Sequence, residues 1–559
     1  MKSVSKSSVI LFISIILLIG LSGIFLFRID LTSDKRFTVS RQTRELMKSV
    51  SQPVKVTVYL TGDLNPGFMR LKKSTTDMLT ELNIYSKGKI TIELKTPVES
   101  STDNKKEIEY SELEKRGMTA TSVHDKDKEG KFIQKIIFPW VELSCNGKII
   151  PVNLLKNNPG LSGDENLNIS LENLEFELTD AFYRLTKTKI EKIAFLEGHG
   201  ELNETETYEA SKSLSRYFQI DRGVIGTDAG VLNDYKVVII AKPTNPFSEK
   251  DKYVLDQYLM NGGSLLWLID GVRISEKSLT ETGETPAIPY DLNLEDMLFR
   301  YGVRINPSLV QDVQCALMPV NVAPTGQKPQ FEPIPWVFSP LLLTSGSHPV
   351  SRNISPVQAR FASSLDLVGN DKNTVKKLLL ASSGQSHLLP APGKISMTDL
   401  PDVKDRNYFS VSHIPVGVSI EGVFESVFAN RIPPVEIVNP APVKKTSFVT
   451  RQIVIADGDI IRNDIQLSGD SIRTLPPGFD RYTSQQFGNN DLIVNSILFL
   501  TDNNNRIALR SRTLPLRLLK KNTSTSELTR LQLINVVLPL LLLLLGGVVY
   551  HWIRKRRYR

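Results

Sequence analysis

Two uncharged apolar runs, one near each end of the chain, constrain this sequence more than any other feature. Val9 to Phe27 is a run of 19 residues; Ile534 to Trp552, also 19, includes six consecutive leucines from Leu540 to Leu545. As helices at 1.5 Å per residue, each spans ~28 Å, about the hydrocarbon thickness of a bilayer. A secretory signal would have an apolar core of only ~7–15 residues and a small-x-small cleavage site. Phe27-Arg28-Ile29-Asp30 offers none, so the first run reads as an uncleaved transmembrane helix over residues 9–27. The second reads as a transmembrane helix over 534–552, with Pro539 in its first turns, where a missing N–H is best tolerated.

Two spans place both termini on one side of the membrane. Seven basic residues occupy the two tails and nine flank the long central region, so charge counting decides orientation weakly. The dense Arg554–Arg559 cluster favours cytoplasmic termini, and hence an extracytoplasmic central region. Without the seven tail cations the chain carries 61 basic and 60 acidic residues. The overall charge of +8 is therefore no argument for nucleic-acid binding. Cys145 and Cys315 are the only cysteines and form no CxxC, so no disulfide framework is expected.

The 559 residues allow roughly three to four domains. Over 50–160, Val54, Val56, Val58 and Leu60 alternate with Lys55, Thr57 and Tyr59, as in a half-buried strand. A helix over Phe68–Ser86 and a strand over Lys89–Lys95 follow, then a charged, partly helical stretch over Glu99–Glu114. A strand over Phe132–Phe138 comes next. Trp140–Cys145 then faces Lys148–Leu154 across Asn146-Gly147, a strong hairpin turn. This order fits a thioredoxin-like α/β domain without its redox cysteines. Leu171–Leu185 reads as a connecting helix. A second α/β domain is expected over 189–505, with strands at Ile190–Leu196, Val237–Ala241, Ser264–Asp270, Leu378–Ser382 and Gln452–Asp457. Helices are expected over Thr205–Tyr217, after the Ser248 cap, and within Tyr482–Thr501. Strands alternating with helices predict a parallel sheet. Thr280–Pro289 reads as a linker, and 291–361 as a polar, proline-rich insertion.

Two motifs follow strands at the edge where open α/β sheets bind ligands. In Glu197-Gly198-His199-Gly200-Glu201, the residues Glu197, His199 and Glu201 offer donors for a polar ligand or a metal. The plainer reading is a glycine-rich turn with a hydrogen-bonded histidine, and no metal is assigned. In Ile455-Ala456-Asp457-Gly458-Asp459, Asp457 and Asp459 offer two carboxylates to a cation or to sugar hydroxyls. The pattern fails the Ca²⁺-loop spacing, and a turn with a helix cap is the plainer reading. No nucleophile elbow, Walker A, GxGxxG or HExxH occurs. No cofactor is expected, and an enzyme is disfavoured.

Several stretches together resemble the GldG family, gliding-motility-associated auxiliary subunits of ABC transporters. They are Asp30-Leu-Thr-Ser-Asp-Lys-Arg-Phe-Thr-Val-Ser40, Phe195-Leu-Glu-Gly-His-Gly-Glu201, Gly262-Gly-Ser-Leu-Leu-Trp267, Ile455–Asp459, Phe479-Asp-Arg-Tyr482 and Phe487-Gly-Asn-Asn490. The resemblance covers nearly the whole chain. It implies an ATPase and a permease as separate partner chains, an extracytoplasmic central region, and a domain similar to class I glutamine amidotransferases without the catalytic cysteine. Together these give a non-catalytic, substrate-binding-like subunit; the resemblance does not name its substrate, and an envelope carbohydrate or peptide is the ligand expected beside it. Two other readings stand beside it. One is a cell-envelope hydrolase or sugar-processing enzyme in which His199, Glu201, Asp457 and Asp459 converge in one cleft. The other is a purely structural scaffold.

Overall fold

Hydrophobic alternation and helix caps build the first part of the molecule. In the computed structural model, which describes residues 38–97, 103–126, 132–158, 161–187, 190–321, 323, 328, 330–369, 373–438, 442–468, 471–502, 507, 509 and 525–557, Ser40 caps helix α1 (Arg41–Ser49) by accepting the Thr43 N–H. Strand β1 (Val54–Val58) buries all three of its valines. Asn65 caps α2 (Pro66–Tyr85), with proline at the first helical position, where it costs no hydrogen bond. Strands β2 (Ile90–Leu94), β3 (Trp140–Cys145) and β4 (Lys148–Asn153) complete a four-stranded sheet of order β2-β1-β3-β4. Only β1 and β2 are parallel. The β3–β4 hairpin turns at Asn146-Gly147, both at positive φ, as the dipeptide predicts. The helix Asp103–Lys115 lies within the expected charged stretch, while the expected strand near 132 pairs with Thr121–Lys126 in a separate hairpin.

The helix read as a connector is α3 (Gly163–Thr186), capped by a Ser162–Glu165 box. It belongs to the first core: Leu174, Leu178, Ala181 and Phe182 pack with the valines of β1. Buried Glu175 ties it to the start of α1, accepting the Ser40 N–H at 2.7 Å and the Thr43 hydroxyl at 2.8 Å.

A larger sheet follows. Its strands are β5 (Glu191–Glu197), β6 (Phe218–Val224), β7 (Tyr235–Ala241), β8 (Ser264–Leu268), β9 (Cys315–Asn321), β10 (Phe331–Thr344), β11 (Thr374–Ala381), β12 (Pro415–Gly422) and β13 (Thr450–Ile455). The order is β9-β10-β11-β12-β13-β8-β7-β5-β6. The expectation of a parallel sheet holds from β13 to β6 and fails beyond β13, where β12, β11, β10 and β9 add antiparallel strands. The parallel strands carry the continuous aliphatic runs that two-sided burial requires. Val237, Val238, Ile239 and Ile240 are fully buried, each contributing ~1.5–3 kcal/mol over its exposed state. Helices α4 (Tyr208–Leu214), α5 (Glu249–Met260) and α6 (Asn489–Thr501) contribute to the same core. Ser248 caps α5, and Gly262 at positive φ follows its end.

One expectation is corrected. Thr280–Pro289 is not a linker: it holds the end of the helix Glu276–Thr282, a left-handed Gly283 cap and the strand Glu284–Pro289. Within 291–361, read as a proline-rich insertion, the described residues include the helix Glu295–Tyr301 and the long strand β10. Its prolines are compatible with a sheet because they sit where β10 meets the edge strand β9: Pro319 faces Pro333, and Pro335 and Pro340 face Leu317 and Cys315.

Residues 514–559 form a separate unit. Helix α7 (Thr525–Arg557) holds the second apolar run and ends in Arg554, Lys555, Arg556 and Arg557. Among the described residues it is the one helix long and apolar enough to cross a membrane. The first run, Val9 to Phe27, lies outside the described residues.

Candidate functional site

Strand order β6-β5-β7 reverses the direction of winding between β5 and β7, and such a switch point opens a ligand crevice in doubly wound sheets. Here the two loops at that position clasp each other. The His199 carbonyl accepts the N–H groups of Thr244 and Asn245, both at 2.8 Å, and the Thr244 hydroxyl donates to the Gly200 carbonyl at 3.1 Å. Gly200 has φ +74°, and a Cβ there would lie 2.1 Å from Thr244 Oγ1, so only glycine permits this approach.

The His199 ring is buried and stacked on Phe247, with centroids 3.7 Å apart. Its Nδ1 lies 3.1 Å from Glu201 Oε1 and its Nε2 3.2 Å from Asp251 Oδ2. Burial works against the imidazolium, but the two carboxylates outweigh it and hold the pKa above the ordinary histidine value. In its protonated form the ring donates from both nitrogens, one to each carboxylate. Asp251 is the partner the sequence reading missed. It stands three residues after the Ser248 cap, accepts the Ser248 hydroxyl at 2.6 Å, and so faces the loop after β5. Glu197 points elsewhere, pairing with Arg222 at 2.7 Å.

The second motif lies past the end of β13. Asp457 caps a short 3₁₀ turn over Gly458–Ile461. It accepts the N–H groups of Asp459 and Arg360, both at 2.7 Å. Asp270, just past β8, accepts the Gly458 N–H at 2.6 Å. Carboxylate oxygens of Asp270, Asp457 and Asp459, all buried, lie within 4.8 Å of one another. Their counter-charge is Lys242, the first residue past β7, at the strained φ of +56°. Its Nζ lies 3.3 Å from Asp270 and closer still to Asp459. Gly458 makes room for it, since a Cβ there would meet Lys242 Cβ at 2.5 Å. An ammonium thus lies against two of the three carboxylates.

Burial opposes ionisation of Asp459, but Lys242, Arg360 and Arg462 together hold its pKa below the usual range. Asp457 goes the other way: burial, then the charges of Asp459 and Asp270, push it well above the carboxylate range. The ammonium of Lys242 is stabilised against burial by Asp270 and Asp459, so it stays protonated and is no nucleophile. Cys315 is equally unreactive, its thiol pushed up to about 12 by burial and by Asp312. The pair His199–Glu201 and the pair Asp457–Asp459 share no side-chain partner among the described residues. They form two separate hydrogen-bonded clusters.

Beside Asp270 a cavity of about 560 Å³ opens past the end of β8. Leu292, Leu294, Leu298, Phe299 and Ile305 supply apolar walls, and Tyr290 and Arg304 add polar groups. Apolar walls with few polar groups are the usual character of a small-molecule or peptide site. The sequence reading missed this cavity because its walls come from the segment read as an insertion.

A family model described as an ABC-type uncharacterized transport system, an auxiliary component, matches residues 191–496, more than half of the chain. The chain belongs to this family. A second model, a domain of unknown function, matches residues 33–144. An uncharacterized protein of Borreliella burgdorferi is 22% identical over 422 residues, covering 73% of this chain and 75% of the relative. Among solved structures, the mmIFT52 N-terminal domain aligns at 14% identity and a TM-score of 0.32, covering 56% of this chain and 98% of that one. A ThuA-like protein from Parabacteroides merdae aligns at 12% identity and a TM-score of 0.26, covering 56% and 90%. The segment that defines this transport-system auxiliary family contains both strand-end clusters and the cavity beside Asp270.

Proposed function

We propose that this chain is a non-catalytic subunit of the GldG type, held in the bacterial inner membrane by two helices and docked on a separate permease and ATPase. The family match over 191–496 carries this reading. In it, residues 50–160 are a thioredoxin-like domain and 189–505 an amidotransferase-like domain on the extracytoplasmic side. The catalytic position of such a domain would lie just past a buried parallel strand. At the end of β7 that place holds Lys242, whose charge is spent on Asp270 and Asp459, which supports a domain that binds rather than catalyses. The ligand, an envelope peptide or carbohydrate, enters the cavity beside Asp270, while Glu197, His199, Glu201, Asp457 and Asp459, which do not line it, hold the strand-end loops in place. In a gliding cell the complex serves motility.

The test is purification from native membranes in mild detergent, with partners identified by mass spectrometry and ATPase activity assayed on the isolated chain. A permease and an ATPase recovered in fixed ratio, with no hydrolysis by this chain alone, is the expected result. ATP hydrolysis by the isolated chain, or its recovery with envelope-polymer enzymes and no permease, would overturn the reading.

A further inference from the structure

Away from the strand-end clusters, a cavity of about 400 Å³ is lined by Arg116, Lys148, Arg184 and Arg216 around Trp140, with no acidic residue in its wall. The central region as a whole has nearly balanced charge, so four cations on one cavity are a local concentration. Like charges facing a common space repel, and a cleft of one sign with low-dielectric walls focuses its field on whatever enters.

Two of the four are held from behind. Arg184, in the last turn of α3, bonds Asp180 at 2.9 Å and lies 5.2 Å from the Tyr217 ring. Arg116 bonds Glu142 at 3.1 Å. Lys148, at the start of β4, donates to the Arg184 carbonyl. Arg216, two residues past α4, has no carboxylate partner among the described residues. Trp140 spends its N–H on the Thr119 carbonyl at 2.8 Å, leaving only its ring for a ligand.

We infer that this cavity binds a phosphoryl-bearing ligand. Guanidinium forks match phosphate oxygens in pairs, and with Arg184 and Arg116 already paired to Asp180 and Glu142, the charges of Lys148 and Arg216 match a phosphoryl dianion better than a single carboxylate. Residues of the segments 33–144 and 191–496 both line it, so a bound phosphoryl group bridges the two matched segments.

The test uses the full chain in neutral detergent, titrated with inorganic pyrophosphate and, separately, with dihexanoyl phosphatidylglycerol, by calorimetry. Saturable binding of at least one probe is expected, pyrophosphate alone marking a soluble phosphate ester and the lipid alone a headgroup. The double variant Lys148→Glu with Arg216→Glu should weaken it about tenfold or more, as the loss of charge-assisted contacts implies. Lys277→Glu, an exposed site paired only with Glu281, should leave it unchanged. If the charge reversals do not fold, Lys148→Gln with Arg216→Gln replaces them and must still weaken binding. Absence of saturable binding by both probes, unchanged affinity in the glutamine pair, or an equal loss in Lys277→Glu would each overturn the inference.

Discussion

Lys242 shows most clearly how one side chain sets the chemistry of a strand edge. Replacing it by methionine keeps the aliphatic stem but leaves Asp459 and Asp270 buried without their ammonium. Breaking a buried charge cluster by removing one partner costs ~3–5 kcal/mol, so Lys242→Met should lower the denaturation midpoint sharply. Adding Asp459→Asn should recover part of the loss, because the charge left uncompensated is then removed. A Lys242→Met chain as stable as the parent would show that the three carboxylates need no internal cation. The sequence places Asp457 and Asp459 after a strand, and the structure agrees. It gives no sign that Lys242 and Asp270 meet them, since these stand past two other strands and only the sheet order brings the ends together.

Elements follow the sequence wherever local rules act alone. The Ser248 cap and the Asn146-Gly147 turn both form as local hydrogen-bonding predicts. Elements are misread where tertiary context overrides composition. Proline-rich β10 lies against an edge strand, whereas β12, where Val416, Val418 and Ile420 alternate with small or polar residues, carries a local strand signal that the sequence reading passes over. The clasp between the loops after β5 and β7 makes a prediction at this scale. Gly200→Ala would put a Cβ on Thr244 Oγ1 and demand a left-handed backbone from alanine. A loss of ~1–3 kcal/mol is expected from that strain, with faster hydrogen exchange at the Thr244 and Asn245 amides. Unchanged exchange would mean that the loops are held apart from this contact.

At the scale of the whole molecule the open question is how many helices hold the chain in the bilayer. Helix α7 meets the length and composition of a span, and the Val9–Phe27 run predicts another. A chain ending at Thr513 should therefore remain with membranes after carbonate extraction. Loss of residues 1–27 in addition should release it. Release by the C-terminal truncation alone would leave α7 as the sole anchor.

The sequence by itself determined what depends on near neighbours along the chain: the lengths of the apolar runs, the Ser248 cap, the hairpin turn, the aliphatic runs of the parallel strands, and the absence of nucleotide and nucleophile motifs. Only the tertiary structure decided that His199 is held by Asp251, that Lys242 serves as counter-ion to Asp270 and Asp459, and that Leu292, Leu298 and Ile305 wall a cavity. The reason is geometric. Hydrogen-bonded turns and periodic burial are set within a few residues, whereas strand-end residues become neighbours only after distant strands have paired, in an order that no local pattern encodes.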